Sequence, residues 1–205
     1  MASPIKIIGI PVSQNVRKVL AVAYQLDIPV EVAPLPPRDA AVLAASPSGR
    51  IPAMDDNGFT LCESSAIMIY LASKKQSALY PEDAQRRAKI HQWMFWDSAH
   101  WTPAHQPIQF ERLIKPRFYN GAPDDAVVEK ALAAFNREAA LLDAALSDKE
   151  WLAGDEPSLA DFGAGAGLTY APLIDLPLED YPNIRAWYER LSELEGWKKS
   201  APPLS

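Results

Sequence analysis

Apolar and polar positions follow two regimes along the chain. Up to residue 72, short apolar runs alternate with helical stripes. Ile5-Lys6-Ile7-Ile8-Gly9-Ile10 is a β-branched run suited to a strand buried on both faces. Val16, Val19, Leu20 and Ala23 then recur at helical spacing and predict a first helix. Ile28-Pro29 ends that helix, and Val30-Glu31-Val32 reads as a second strand. Asp39–Ala45 predicts a short helix after the stiff Pro34–Pro37 stretch. Ile51–Met54 and Phe59–Cys62 read as strands joined through Asp55-Asp56-Asn57-Gly58, where Asn-Gly favours a tight hairpin turn. Ser65–Ala72 closes this half as a helix. The order βαβαββα predicts a small mixed sheet covered by helices.

The second regime is helical throughout. Residues 74–83 are polar, contain Pro81 and read as an exposed linker. Beyond them Val128, Leu132, Phe135, Ala139 and Leu142 form one stripe, and Ile184, Trp187, Tyr188, Leu191 and Leu194 another. Pro182 suits the first turn of the latter helix. Ser158-Leu159-Ala160-Asp161 has the spacing of a capping box. A strongly aromatic helix is expected from about Asp83 toward Trp101, with Pro103 and Pro107 interrupting or kinking it. The domain expectation is 1–74, a linker 75–83, and an all-helical domain 84–205.

Composition narrows the function classes. The 205 residues carry 20 Lys and Arg against 26 Asp and Glu, a net charge of -6. An acidic chain is poorly suited to nucleic acid, whose binders replace counterions with basic surface. A polybasic membrane anchor is equally disfavoured. The longest charge-free stretches, between Asp97 and Glu111 and between Asp161 and Asp175, are shorter than the ~18 apolar residues a membrane span requires. Met1-Ala2-Ser3-Pro4-Ile5-Lys6 shows no secretory pattern, and the single cysteine, Cys62, cannot form an internal disulfide. A cytoplasmic protein is expected.

Chemistry is sought at strand ends that lead into helices, where open α/β sheets bind ligands. Ile10-Pro11-Val12-Ser13-Gln14-Asn15 is one such junction. Ser13 there is either a plain helix cap or a hydroxyl poised beside a positive helix end, and Asn15 adds a donor. Arg17 reads as a structural ion-pair partner. Cys62-Glu63-Ser64-Ser65 is the other junction, where free N–H groups and a serine hydroxyl can hold a carboxylate and Glu63 a cation. Together these match the two ends of an α-amino acid, although a capping serine beside a surface glutamate has the same pattern. Cys62 itself reads as a buried, inert thiol.

With these residues in view the whole chain resembles the cytosolic glutathione S-transferase family, in a serine-type class. Gly9-Ile10-Pro11-Val12-Ser13-Gln14-Asn15-Val16-Arg17-Lys18-Val19 resembles the family's opening. Ser48-Gly49-Arg50-Ile51-Pro52-Ala53-Met54 resembles its loop with a cis proline, and Glu63-Ser64-Ser65-Ala66-Ile67 its γ-glutamyl corner. Trp151-Leu152-Ala153-Gly154 through Asp161 is similar to its buried capping-box helix, and Tyr181–Tyr188 to a further family segment. The resemblance implies a thioredoxin-like N-terminal domain, an all-helical C-terminal domain and a homodimer. It implies that Ser13, with Asn15 beside it, meets the glutathione sulfur. Glu63 and Ser64 would hold the γ-glutamyl group, and the Ile51 backbone, set by Pro52, the cysteinyl part. Arg38 and Arg50 are candidates near the tripeptide's charged ends. Val12, Trp101, His105, Phe110 and Tyr170 are candidates for an apolar electrophile pocket, each with plain core as its alternative.

The implied chemistry is thiol activation. A thiol at its reference pKa of ~8.5 is a few per cent ionised at neutral pH. A serine hydrogen bond and a helix N-terminus favour the anion, and a two-unit drop corresponds to roughly 2.7 kcal/mol. The implied product is a glutathione conjugate of a small electrophile, with no metal required. Asn15 beside Ser13 also resembles bacterial and fungal members that reduce peroxides or disulfides. Serine cannot form a mixed disulfide, so such reduction would run through glutathione itself. A non-catalytic ligand-binding protein on the same fold is the alternative class. Gly163, Gly165 and Gly167 lack dinucleotide-loop spacing and read as close helix packing; His91, His100 and His105 lack metal-ligand spacing.

Overall fold

In the computed structural model, which describes residues 3–203, the β-branched opening forms β1 (Ile5–Ile8), followed by α1 (Gln14–Gln25) and β2 (Val30–Ala33). Met1 and Ala2 of the opening, and Leu204 and Ser205 of the closing segment, lie outside the described residues. Then come α2 (Ala40–Ala45), β3 (Ala53–Asp56), β4 (Phe59–Cys62) and α3 (Ser64–Lys74), the expected βαβαββα order. Asp39 caps α2 by accepting from Ala41 N–H at 2.9 Å. Asn57 and Gly58 take φ of 53° and 93°, the left-handed pair that a two-residue hairpin requires.

The four strands lie in the order β2-β1-β3-β4, β1 parallel to β2 and antiparallel to β3. Ile8, paired with Ala53, packs with Val42 and Ala45 of α2 on one face. The adjacent pair Ile7 and Met54 points to the opposite face, as the period of two demands, and is fully buried. α3 packs on β3 and β4 and against α1.

The chain divides into two units, one running up to Glu82 and resuming at Leu191, the other being Asp83–Arg190. The segment expected to be an exposed linker thus belongs with the sheet, and its Leu79 and Tyr80 are buried. The closing stretch joins the same unit through α10 (Glu195–Lys199), which packs on α1. A Cβ at Gly196 would come 2.3 Å from the Ala21 carbonyl oxygen, so only glycine permits this approach. Gly196 N–H donates to Gln25 Oε1 at 2.9 Å.

In the helical unit the prolines do not break the first helix. α4 (Ala84–Trp96), α5 (Thr102–Gln109) and α6 (Lys115–Tyr119) run on through two π-helical turns, Asp97–Trp101 and Phe110–Ile114. One π turn ends just ahead of Pro103 and the other ahead of Pro116, so the widened turn takes up the register that a missing N–H would disrupt. α7 (Asp125–Ala145) buries Val128, Phe135, Ala139 and Leu142 of the expected stripe. α8 (Leu159–Gly165) is buried along its whole length, and α9 (Pro182–Ser192) leads back to the first unit.

The expected capping box forms at the start of α8. The fully buried Asp161 carboxylate accepts from Ser158 N–H, Ser158 hydroxyl, Leu152 N–H and the Trp187 indole, all at 2.8–2.9 Å. Burial pushes its pKa above the ordinary aspartate value against the opposite pull of these donors. Gly167 is a close-packing glycine, as expected: a Cβ there would lie 2.4 Å from His105 Nε2 and 2.9 Å from Trp101 Nε1.

Candidate active site

The register of the sheet assembles the site. Ala33 pairs with Ile8, Ile8 with Ala53, and Ala53 with Cys62, so these four residues form one row across the strands. β1 and β4 end at that row and β3 begins there. Three loops therefore converge on one edge: Gly9–Ser13 leading into α1, Ile51-Pro52 entering β3, and Glu63 leading into α3. The first two loops touch. A Cβ at Gly9 would come within 2.7 Å of Val16 Cγ2 and 3.1 Å of Ile51 Cβ.

Ser13 occupies the N-cap of α1 with extended backbone (φ -73°, ψ 125°), yet its side chain makes no capping hydrogen bond. Its carbonyl accepts from Arg17 N–H at 2.9 Å, which starts the helix. The hydroxyl is therefore uncommitted to its own helix, and the first-turn N–H groups lack the acceptor an N-cap serine ordinarily supplies. Both features favour an anion placed at this end. Asn15 is partly buried in the same turn.

At the other end of the row Glu63 has φ 68° and ψ 110°, an unusual backbone for a non-glycine residue. Such strain costs on the order of 1–3 kcal/mol and turns the strand abruptly into α3. Glu63 presents an exposed side chain, and Ser64 becomes the first residue of α3, partly buried with its hydroxyl at the positive helix end. Between these ends the Ile51-Pro52 peptide bond is cis, as the resemblance implies. Pro52 is buried and Ile51 packs onto the Ile8–Val42–Ala45–Ala53 cluster.

The row also sets the scale. Two inter-strand steps separate β1 from β4, about 10 Å at the usual spacing. An extended tripeptide spans about 10 Å. The row from Ile8 to Cys62 is thus about as long as three extended residues.

Arg38 and the loop bearing Arg50 share a corner. Arg38 N–H donates to the Gly49 carbonyl at 2.9 Å, and a Cβ at Gly49 would lie 3.1 Å from Arg38 Cγ. Both arginines are exposed. Arg38 itself has φ 68°, a second strained non-glycine residue beside the site.

The pocket candidates separate. Trp101, His105 and Tyr170 belong to the core of the helical unit rather than to an accessible wall. Trp101 donates its indole N–H to the Ala164 carbonyl at 3.0 Å and stacks on Trp96, while His105 meets the Trp101 ring edge-on. Helical spacing alone does not distinguish a stripe facing a core from one facing a cleft. Phe110 is 40% exposed, its ring 6.1 Å from that of Tyr119, and Val12 is partly buried in the β1–α1 loop. Cys62 closes β4 with intermediate exposure rather than full burial. Arg17 lies with its guanidinium 4.1 Å from the centre of the Trp197 ring, a cation–π contact. Among the described residues, no group of three or more His, Cys, Asp or Glu side chains is placed to hold a metal ion.

Sequence reasoning missed the backbone devices: the strained Glu63 and Arg38, and the approach of Gly9 to Ile51. Only the glycine directly after the first strand carried a signal.

Comparison with known proteins gives the family and the fold. The glutathione S-transferase N-terminal domain family matches residues 7–78 and the glutathione S-transferase C-terminal domain family residues 98–195. The chain is 32% identical over 198 residues to a probable glutathione S-transferase GSTF2 of Oryza sativa subsp. japonica, covering 92% of each. It is 32% identical over 197 residues to glutathione S-transferase GstB of Escherichia coli strain K12, covering 91% of this chain and 92% of that one. Among solved structures it resembles glutathione S-transferase III in its apo form, with TM-score 0.89, 33% identity and 99% of each chain covered. It also resembles maize glutathione S-transferase I in complex with an atrazine glutathione conjugate, with TM-score 0.89, 28% identity and 97% of each chain covered.

Proposed function

The chain belongs to the glutathione S-transferase family, and from that membership we propose that the start of α1 holds the glutathione sulfur while the start of α3 holds its γ-glutamyl end. The protein is a glutathione transferase. The glutathione thiol gives up a proton to solvent, the thiolate forms a carbon–sulfur bond to the electrophile, and the displaced electron pair leaves with a leaving group or, in an addition, moves from the electrophile's π bond onto its far atom, which then takes a proton. Ser13 donates to the thiolate and Asn15 supplies a second donor. Ser64 and the free N–H groups of α3 take the γ-glutamyl carboxylate, Glu63 its ammonium group, and the Ile51 backbone the cysteinyl amide. Arg38 and Arg50 attract the remaining carboxylate. Val12 and Phe110 are the two pocket candidates with accessible surface.

The observation that carries this reading is the uncommitted Ser13 hydroxyl at the positive end of α1, on the same sheet edge as Ser64. The family further supports a cytoplasmic location and a homodimer, the latter tested by light scattering on the purified protein. Among the described residues no helix is long and apolar enough to cross a membrane.

The experiment is a titration of glutathione's thiolate absorbance against pH, with and without the protein. A depressed thiol pKa in the complex is expected. Saturable binding without a shift would assign the protein to ligand carriage instead, and absence of binding would overturn both.

A further inference from the structure

Gln14 is the first residue of α1, directly after Ser13. Only 7% of it is exposed, and its side-chain oxygen is buried without a hydrogen-bond partner. Buried polar atoms are nearly always paired, because giving up water without gaining a partner is costly. A methionine of similar length fills such a space with no polar atom to satisfy. Packing therefore does not account for the amide, and the thiol chemistry above does not use it.

The position of Gln14 narrows what the missing partner is. An extended glutamine side chain keeps its amide within about 9 Å of the preceding Cα, so the amide stays at the turn that carries Ser13. The last torsion of a glutamine is broad and roughly two-fold, and an oxygen with no bond to lose turns freely toward a donor. The charged ends of glutathione, its cysteinyl amide and its sulfur already have partners in the assignment above. The remaining reactant is the electrophile, whose reacting carbon stands about 3–3.5 Å from the sulfur. A hydroxyl or N–H on the atom next to that carbon is thereby carried to the Gln14 turn.

We propose that Gln14 is a specificity-determining residue: its amide oxygen accepts a hydrogen bond from the electrophile, and the enzyme favours electrophiles that carry an O–H or N–H group beside the carbon attacked. This rests on the placement of the sulfur at Ser13. A site with a buried acceptor rejects the analogue that lacks the donor, because the acceptor then stays unpaired in the complex.

The test compares methyl 4-hydroxycrotonate with methyl 4-methoxycrotonate, which differ in the donor next to the carbon attacked. The thiolate adds at the β carbon, the π electrons move through the α carbon toward the ester carbonyl, and the α carbon then takes a proton from solvent. For each ester kcat/KM is divided by the rate constant of its uncatalysed reaction with glutathione, in the wild type and in Gln14→Met, with melting curves alongside. In the wild type the hydroxy ester is expected to be favoured by about tenfold, the worth of one hydrogen bond. In Gln14→Met the ratio should fall to within about twofold of one, while the glutathione Kd and thiol pKa stay at their wild-type values. This variant should also melt no lower than the wild type, since it removes an unpaired buried acceptor. A wild-type ratio near one, or a ratio that survives in Gln14→Met, overturns the proposal. So does a clear fall in melting temperature, because the amide then has its partner within the protein. The two readings separate in the wild type. An unperturbed thiol pKa takes the sulfur away from Ser13 and Gln14 together, whereas a depressed pKa with a ratio of one, or with turnover of neither ester, leaves the Ser13 assignment standing and removes only the role of Gln14.

Discussion

Replacing Asp161 by Asn removes a charge and one acceptor from the buried start of α8 while keeping the side-chain shape. In the wild type, Oδ1 accepts from Leu152 N–H and the Trp187 indole, and Oδ2 from the N–H and hydroxyl of Ser158. The Asn carboxamide oxygen retains the first pair. Its NH2 group then faces Ser158 N–H, donor against donor, while the Ser158 hydroxyl can rotate to accept. One buried N–H is left without a partner, at about 1–3 kcal/mol, and the two retained bonds lose their ionic character. The expected loss is about 2–3 kcal/mol, which lowers the melting temperature by about 5–10 °C in a chain of this size. Asp161→Ala strands three buried N–H groups, those of Leu152, Ser158 and Trp187, and should cost about 5 kcal/mol or more. Both variants are compared by thermal melting followed by far-UV circular dichroism at neutral pH. An Asn variant melting within about 2 °C of wild type, or an Ala variant no less stable than the Asn one, would falsify the view that these donors depend on Asp161.

Ser64→Ala is expected to weaken glutathione binding by about 5- to 30-fold, the loss of a hydrogen bond to a carboxylate; unchanged affinity by calorimetry removes Ser64 from the site. Ser13→Ala should lower turnover about 10- to 100-fold while the glutathione Kd changes by less than about threefold, because its bond strengthens only with the thiolate. If turnover is unaffected, Asn15 becomes the principal donor. Gly9→Ala should destabilise the first unit by about 1–3 kcal/mol, since its Cβ would meet Val16 and Ile51; urea denaturation measures this, and a neutral result refutes the close approach of the two loops. Asp56 is held below the ordinary aspartate value, first by its bond to Lys74 and then by that from Tyr70. A depressed folded-state pKa contributes stability that is present above the unfolded value, near 3.8, and is lost as pH falls through the folded value. Because Lys74 is 41% exposed, Asp56→Asn should cost under about 1 kcal/mol at pH 7. Below about pH 4 the wild type should lose stability that this variant does not, and parallel acid slopes in urea titrations contradict the linkage.

The local devices were legible because they are local. Alternating apolar runs, the Asn57-Gly58 turn, the Asp39 cap and the Ser158–Asp161 box each depend on side chains a few residues apart, whose conformational preferences act before any long-range contact forms. The hydroxyl at Ser13 and the Glu63-Ser64 corner were legible as chemistry, but not as partners. They lie 50 residues apart in sequence, and only the strand order and register of β1, β3 and β4 bring both to one edge.

The positions read less well share one physical cause. Trp101, His105 and Tyr170 carry the same residue types that line apolar clefts, and which side a helix turns toward its neighbours is decided by packing. Leu79 and Tyr80 sit in a polar stretch, yet the sheet unit buries them. Arg17 finds a tryptophan 180 residues further along the chain, a pairing no local pattern encodes. The sequence by itself determined the two kinds of half, the hairpin, the caps and the candidate donors, since these follow from short-range sterics and hydrogen bonding. Tertiary structure alone decided the sheet edge that unites the donors, the strained backbones of Glu63 and Arg38, and the return of the C-terminal segment to α1. Those outcomes depend on burying apolar surface shared between distant segments, and that free energy belongs to the assembled fold rather than to any segment of it.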